Sequence, residues 1–238
     1  MIRVSDYSVG IFDIDGCIID SRNECFSVLS RLYKDKYDLS IEELQNVFFE
    51  YRFLVRTADQ FKSLISTLIE DKNNIVSRFR QFEKNYSKYK RDEFLNNFFS
   101  TRNIIIAENE VGWLNLHEVY SPFRNIRNFS NLIDNVYVVS AKNTSAIKKI
   151  LKFFDFNLDK CEIFGGENKD KDYYFRKIRS YHLEEKIFLI DDNTENLFNA
   201  LQFEIDGYLA GWGYVDPKIE VSSTSLVYLD EKSGIFGK

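Results

Sequence analysis

The stretch VGIFDIDGCIID, residues 9–20, sets two carboxylates, Asp13 and Asp15, directly after an apolar run and next to Gly16. A strand buried on both faces accounts for the run, but not for the acidic pair at its end. Like charges this close repel, so the chain must supply something that holds them together. The residues alone leave two readings: a polar strand end, or a nucleophile beside an acid–base group. Three further places have the same form. Ser140 follows VYVV at 136–139, a lysine at 169 or 171 follows EIF at 162–164, and Asp191 with Asp192 follows IFLI at 187–190. Each has an ordinary explanation as a turn, a helix cap or a solvated charge. In this order, each behind an expected strand, they point to one cluster.

The elements that must position these residues are strands alternating with helices. The apolar runs at 8–12, 136–139 and 187–190 read as buried parallel strands, with a weaker one at 162–164. Helical spacing follows on Ala146, Ile150, Leu151 and Phe154, on Tyr174, Phe175, Ile178 and Tyr181, and on Leu197, Ala200 and Leu201. This alternation predicts an α/β fold, a Rossmann-like parallel sheet with helices on both faces. Ligands of such sheets lie at the carboxyl ends of the strands, where the polar residues fall. SLVYLD, residues 225–230, is a further candidate for an edge strand.

Between residue 21 and about 118 the pattern becomes purely helical. Ile41, Leu44, Val47, Phe48 and Tyr51 share one face, as do Phe61, Leu64, Ile65, Leu68 and Ile69. Ile75, Phe79, Phe82 and Tyr86 continue the pattern, followed by Phe94, Leu95, Phe98 and Phe99. NIIIA at 103–107 is the one candidate strand of this region. The expected division is a core of residues 1–20 and 119–238 with an inserted all-α domain at 21–118.

Composition narrows the class. The 238 residues carry a net charge of −5, which argues against broad nucleic-acid binding because polyanions call for a basic face. The first residues lack a basic start followed by a long apolar region, and no window approaches a membrane span, so neither a signal peptide nor a membrane partner is expected. Cys17, Cys25 and Cys161 make no metal-binding spacing, which favours reduced thiols and a cytoplasmic location. With only His117 and His182, a histidine-rich metal site or a histidine triad is not expected. Trp113 and His117, near the return to the core, read as core or hinge residues, and Lys142 as a surface or phosphate-periphery residue.

FDIDGCII, VVSAKN, KDYYF and FLIDDNTEN resemble the four motifs of the haloacid dehalogenase-like superfamily. The first is similar to the DxDGT pattern, with Cys17 in the threonine position, and the helical insertion resembles the cap that many members carry between motifs one and two. The resemblance implies a Mg²⁺-dependent phosphatase. Asp13 would be the nucleophile that becomes an aspartyl-phosphate, and Asp15 the general acid and later the base. Members that displace halide lack the second aspartate, so its presence favours phosphate esters. Ser140 and the backbone N–H of Ala141 would bind phosphate oxygens. Lys171, which opens a helix with Phe175 and Ile178 at +4 and +7, is favoured for motif three over Lys169, whose KPxP spacing lacks its prolines here. Asp13, Asp192 or Asp191, and the carbonyl of Asp15 would hold the cation, with Asn196 in place of a distal carboxylate.

The implied substrate is a small-molecule phosphate ester of a sugar, polyol or amino alcohol, with carbohydrate metabolism as its setting. A cap of this size would obstruct a folded phosphoprotein. Arg52 and Arg56 are candidates to meet the leaving group, set against solvated helix charges as the alternative. A phosphomutase of the same superfamily and a non-catalytic binding module are the other readings, and monomer and homodimer are not separable.

Overall fold

The computed structural model describes residues 2–33, 40–70, 74–126, 128–166, 169–218, 227–230 and 236–237. The chain divides into two compact units, Met1–Asp20 with Glu118–Lys238, and Ser21–His117. In chain order, strands β1 (Ile2–Arg3), β2 (Val9–Phe12) and β3 (Ile19–Asp20) open the first unit. Among the described residues, six α-helices lie in the second: α1 (Arg22–Tyr33), α2 (Ile41–Glu50), α3 (Gln60–Glu70), α4 (Ile75–Asn85), α5 (Lys88–Glu108) and α6 (Glu110–Leu114). The first unit then resumes with β4 (Glu118–Val119), β5 (Asn135–Val139), α7 (Thr144–Phe153), β6 (Cys161–Phe164) and α8 (Lys171–Tyr181). It ends with β7 (Ile187–Asp191), α9 (Thr194–Leu201), β8 (Ile205–Ala210), β9 (Val227–Leu229) and β10 (Phe236–Gly237). Among the described residues no helix is long and apolar enough to cross a membrane.

The main sheet has the order β6-β5-β2-β7-β8-β9, and every pairing in it is parallel. The fold is therefore α/β and Rossmann-like. All four residues of β2 are buried, as a central strand covered on both faces requires. On one face Val9 and Ile11 join Leu189, Phe175, Ile178 and Leu197 in a continuous core. On the other, Phe12 packs against Phe123, Phe129 and Phe188 with ring centroids 5.0 to 6.1 Å apart. The chain leaves β2 for β5 on one side and returns to β7 on the other. The carboxyl end of β2 is thus the switch point of the sheet, where a crevice forms. β3 and β4 pair antiparallel through Ile19–Val119 and Asp20–Glu118, the residues at which the chain leaves and re-enters this unit.

The helical unit has its own core, centred on Leu44, Phe48, Phe61, Leu64, Phe94 and Phe98. Helix α2 starts at a capping box, in which Ser40 accepts from the amide of Glu43 and Glu43 returns to the Ser40 amide. Beneath the apolar core lies a buried ion pair. Arg102 donates from Nε to Oε1 of Glu24 at 2.6 Å and from Nη2 to Oε2 at 3.0 Å. Trp113 Nε1 also donates to Glu24, 3.3 Å away, so α1, α5 and α6 meet on one carboxylate. Trp113 and His117 are both buried.

Two expectations change. NIIIA at 103–107 is not a strand but the last part of α5. Phe94, Phe98, Arg102 and Ile105 repeat at helical spacing, and packing on that face overrides the β-branched preference. Ile41 and Ile69, assigned to apolar faces, are exposed. At the sheet edge, β9 is described from Val227, and the first two residues of the expected 225–230 strand lie outside the described residues. β8 has no counterpart among the expected strands, because Asp206 and Gly207 interrupt its apolar run.

Candidate active site

The reactive turn begins where β2 ends. The amide of Asp13 still donates to Ile190 O at 3.0 Å, which fixes its Cα to the central sheet. The chain then folds back tightly, with Ile14 O accepting from the amides of Ile18 and Ile19 at 3.1 and 2.8 Å, and Gly16 N donating to Ile19 O at 2.9 Å. Gly16 has φ +84°, a conformation that favours glycine. A Cβ there would stand 2.0 Å from Oδ2 of Asp192, so both backbone and space demand glycine. Cys17 is fully buried and its thiol reaches Ile190 O at 3.4 Å. Burial first, then the charges of Asp13, Asp191 and Asp192, push this thiol well above its ordinary range, which leaves it neutral and a poor nucleophile.

At the end of β5, the Ser140 amide donates to Phe164 O at 3.0 Å, and its Oγ accepts from the Lys142 amide at 3.2 Å. Asn143 caps α7 by accepting from Ala146 N. Ala141 is exposed beside it. Lys142 departs from its surface reading. Its side chain is 1% exposed and its Nζ lies 3.2 Å from Oδ1 of Asp15. The only signal for this in the sequence was its spacing of two residues from Ser140.

Lys171 is the first residue of α8, which Asp170 caps through Tyr173 N. Its Nζ lies 3.0 Å from Oδ2 of Asp13 and 2.7 Å from Oδ2 of Asp191. The ammonium of Lys169 lies instead 5.4 Å from the centroid of the Tyr173 ring. Burial works against charge on Lys171, yet the two carboxylates prevail and raise its pKa above the usual lysine value. Asp13 moves the other way from a typical carboxyl. Burial, helped by Asp191 and Asp15 and opposed by Lys171, pushes it from 3.8 up to about 7.

Asp191 ends β7 and accepts from Asn193 N at 2.8 Å, Asn196 Nδ2 at 3.0 Å and Lys171. Asp192 accepts from Tyr214 N at 2.8 Å. One ligand atom from each of Asp13, Asp191 and Asp192 can be chosen so that all lie within 4.8 Å of one another. Oδ1 of Asp13 is buried and has no hydrogen-bond partner among the described residues. A buried carboxylate oxygen without a donor is costly unless a cation completes it. Four carboxylates, Asp13, Asp15, Asp191 and Asp192, face two ammonium groups, Lys142 and Lys171. An all-oxygen cluster with excess negative charge fits a hard divalent cation.

The segment after β8 supports this cluster and was not anticipated. Trp212 Nε1 donates to Cys17 O at 2.8 Å, and the Tyr214 hydroxyl donates to Oδ1 of Asp20 at 3.1 Å. Between them, a Cβ at Gly213 would stand 2.0 Å from Gly16 O. GWGYV at 211–215 thus acts through two side-chain donors, the Tyr214 amide and the close approach of Gly213, a combination that no spacing of side-chain types reveals.

Within the helical unit, Arg52 is buried, donates to Val55 O at 2.5 Å and lies 4.9 Å from the Phe61 ring centroid. Arg56 is exposed, and its backbone amide donates to Gln60.

No family model matches the chain, and no curated protein matches it by sequence. Solved structures do. A haloacid dehalogenase-like family hydrolase from Streptococcus pneumoniae aligns with a TM-score of 0.61 at 13% identity, covering 96% of this chain and 97% of its own. A predicted phosphatase from Clostridium acetobutylicum gives 0.63 at 15% identity, with 95% of each chain covered. A predicted phosphoglycolate phosphatase from Haemophilus somnus gives 0.59 at 16%, again over 95% of each. Sequence motifs and three-dimensional likeness agree on the architecture: the chain has the haloacid dehalogenase-like fold.

Proposed function

We propose that this chain is a Mg²⁺-dependent phosphatase that hydrolyses a small-molecule phosphate monoester through an aspartyl-phosphate on Asp13. The observation that carries the reading is the buried Asp13 carboxyl at the switch point of the sheet. Lys171 holds one of its oxygens, and the other has no hydrogen-bond partner among the described residues. Turns and strand ends do not ordinarily bury a carboxylate in this way. Asp13, Asp192 and the carbonyl of Asp15 would hold the cation, with Asp191 kept beside them by Lys171, Asn193 and Asn196. The cation, when bound, supplies positive charge against a repulsion of about 4 kcal/mol per contacting charge pair in a screened site.

In the reaction, an Asp13 oxygen forms a bond to phosphorus while the ester P–O bond breaks. The bonding pair stays on the leaving oxygen, which takes a proton from the Asp15 carboxyl. Water then attacks phosphorus, gives its proton to Asp15, and breaks the P–O bond to Asp13. Inorganic phosphate leaves and both aspartates return to their starting states. Ser140, whose Oγ already accepts from Lys142 N, is left with its hydroxyl proton to donate to a phosphate oxygen. The backbone N–H of Ala141 is the second proposed phosphate donor, and Lys171 neutralises charge at Asp13 throughout.

The substrate class we favour is a sugar, polyol or amino-alcohol phosphate of cytoplasmic carbohydrate metabolism. Cys17, Cys25 and Cys161 are not disulfide-bonded, which suits a reducing compartment. A panel of such phosphates with Mg²⁺ tests the reading. Release of inorganic phosphate that D13N abolishes supports it. Isomerised ester without released phosphate, or turnover unchanged in D13N, contradicts it.

A further inference from the structure

Lys142 is a buried cation, and the proposed chemistry above gives it no direct part. A lysine with a side chain 1% exposed is costly to bury unless a countercharge meets it, and Oδ1 of Asp15 does so at 3.2 Å. The backbone of Lys142 is fixed from both sides, since its amide donates to Ser140 Oγ and its carbonyl accepts from Gly166 N, each at 3.2 Å. Its ammonium is therefore delivered to a defined place. Asp15 has a side chain 21% exposed and sits on a turn pinned by backbone hydrogen bonds among Ile14, Gly16 and Ile19. Lys171 meets Asp13 and Asp191. Lys142 thus meets Asp15, as Lys171 meets Asp13.

We infer that Lys142 is a positioning residue that orients the Asp15 carboxyl toward the leaving oxygen. The inference rests on the phosphatase reading, because only there does Asp15 deliver a proton. Its consequence is selective. Loss of Lys142 slows cleavage of esters whose leaving oxygen needs that proton and spares those whose leaving group departs without it. A residue that merely bound phosphate would affect both classes alike and would act on KM.

The experiment measures release of the leaving group in the first turnover, from an alkyl phosphate and from p-nitrophenyl phosphate, in the full chain with Mg²⁺, for wild type, K142M and K142R. First-turnover release isolates the step in which Asp15 is the acid from the later step, common to all esters, in which it is the base. General acid catalysis contributes about 10²- to 10⁴-fold, so a misplaced acid should lower the first-turnover rate on the alkyl phosphate roughly 10- to 100-fold. The first-turnover rate on p-nitrophenyl phosphate should stay within about threefold, since that leaving group barely needs the proton. K142R should recover most of the alkyl-phosphate rate. Equal losses of first-turnover rate on both substrates, or a raised KM at unchanged rate, overturn the inference. A crystal structure of K142M, or of K142Q where the methionine variant folds poorly, tests it without turnover. Asp15 turned away from its wild-type position supports the inference, and Asp15 unmoved overturns it. Wild type inert toward both esters defeats the phosphatase reading instead, so the two failures are distinguishable.

Discussion

The ammonium of Lys171 stands 3.0 Å from Oδ2 of Asp13, so the residue that opens α8 balances the charge that ends the central strand. The same ammonium reaches Asp191 at 2.7 Å and ties together the ends of β2 and β7. Removing it leaves two buried carboxylates facing each other. K171M should destabilise the metal-free protein by about 3–5 kcal/mol, the usual cost of breaking a buried pair. K169M, whose ammonium lies over the Tyr173 ring, should cost under about 1 kcal/mol. Urea denaturation of both variants checks this, and a larger loss for K169M would contradict it.

The raised pKa of Asp13 makes stability depend on pH. The folded protein holds this proton up to about 7, whereas the ordinary carboxyl value is 3.8. Folded metal-free protein therefore binds the proton more tightly than unfolded chain does. The resulting stabilisation is complete below about pH 4 and is lost as pH rises through about 7, by an amount on the order of a few kcal/mol. D13N should remove this part of the slope. Denaturation midpoints of wild type and D13N from pH 4 to 8, with chelator present, measure it, and parallel curves would contradict it.

Gly16 supports the site by lacking a side chain. A Cβ would meet Asp192 at a φ that L residues rarely adopt. G16A should displace the Asp192 carboxylate and weaken Mg²⁺ binding by at least about tenfold, a loss of about 1.4 kcal/mol. Calorimetric titration with Mg²⁺ reads this directly, and wild-type affinity in G16A would contradict it.

The pair of Arg102 and Glu24 plays a different part, inside the helical unit. Both side chains are buried, with 5% and 0% exposure, so neither can recover water when its partner is lost. R102M should cost about 3–5 kcal/mol, while E24Q/R102M together should cost less than the single change. R102K should rescue little, because one ammonium cannot reproduce the two-point contact. Chemical denaturation of the three variants checks these relations.

Much of this architecture was legible in the sequence because its strongest signals are local. β2, β5 and β7 each carry an unbroken apolar run, and the acidic and hydroxyl residues stand directly after those runs. Lys171 was favoured by its place at the start of a helical repeat. What was not legible depends on distant partners. Lys142 is buried where its ammonium meets Asp15, more than a hundred residues away in the chain, and its spacing from Ser140 does not reveal that partner. Tyr214 holds Asp192 through a backbone amide, which every residue except proline carries. NIIIA joined a helix because Arg102 and Ile105 share a face with Phe98, a preference imposed by packing.

The central claim is that Asp13 carries the phosphoryl group, and the most direct test is to find it there. D15N retains the nucleophile but lacks the base that activates water, so the phosphorylated form should accumulate. After incubation with p-nitrophenyl phosphate and Mg²⁺, peptide mass spectrometry of D15N should locate phosphate on Asp13. The D13N/D15N protein should carry none. Phosphate release by wild type with no adduct on Asp13 in D15N, and with D13N still active, would contradict the account.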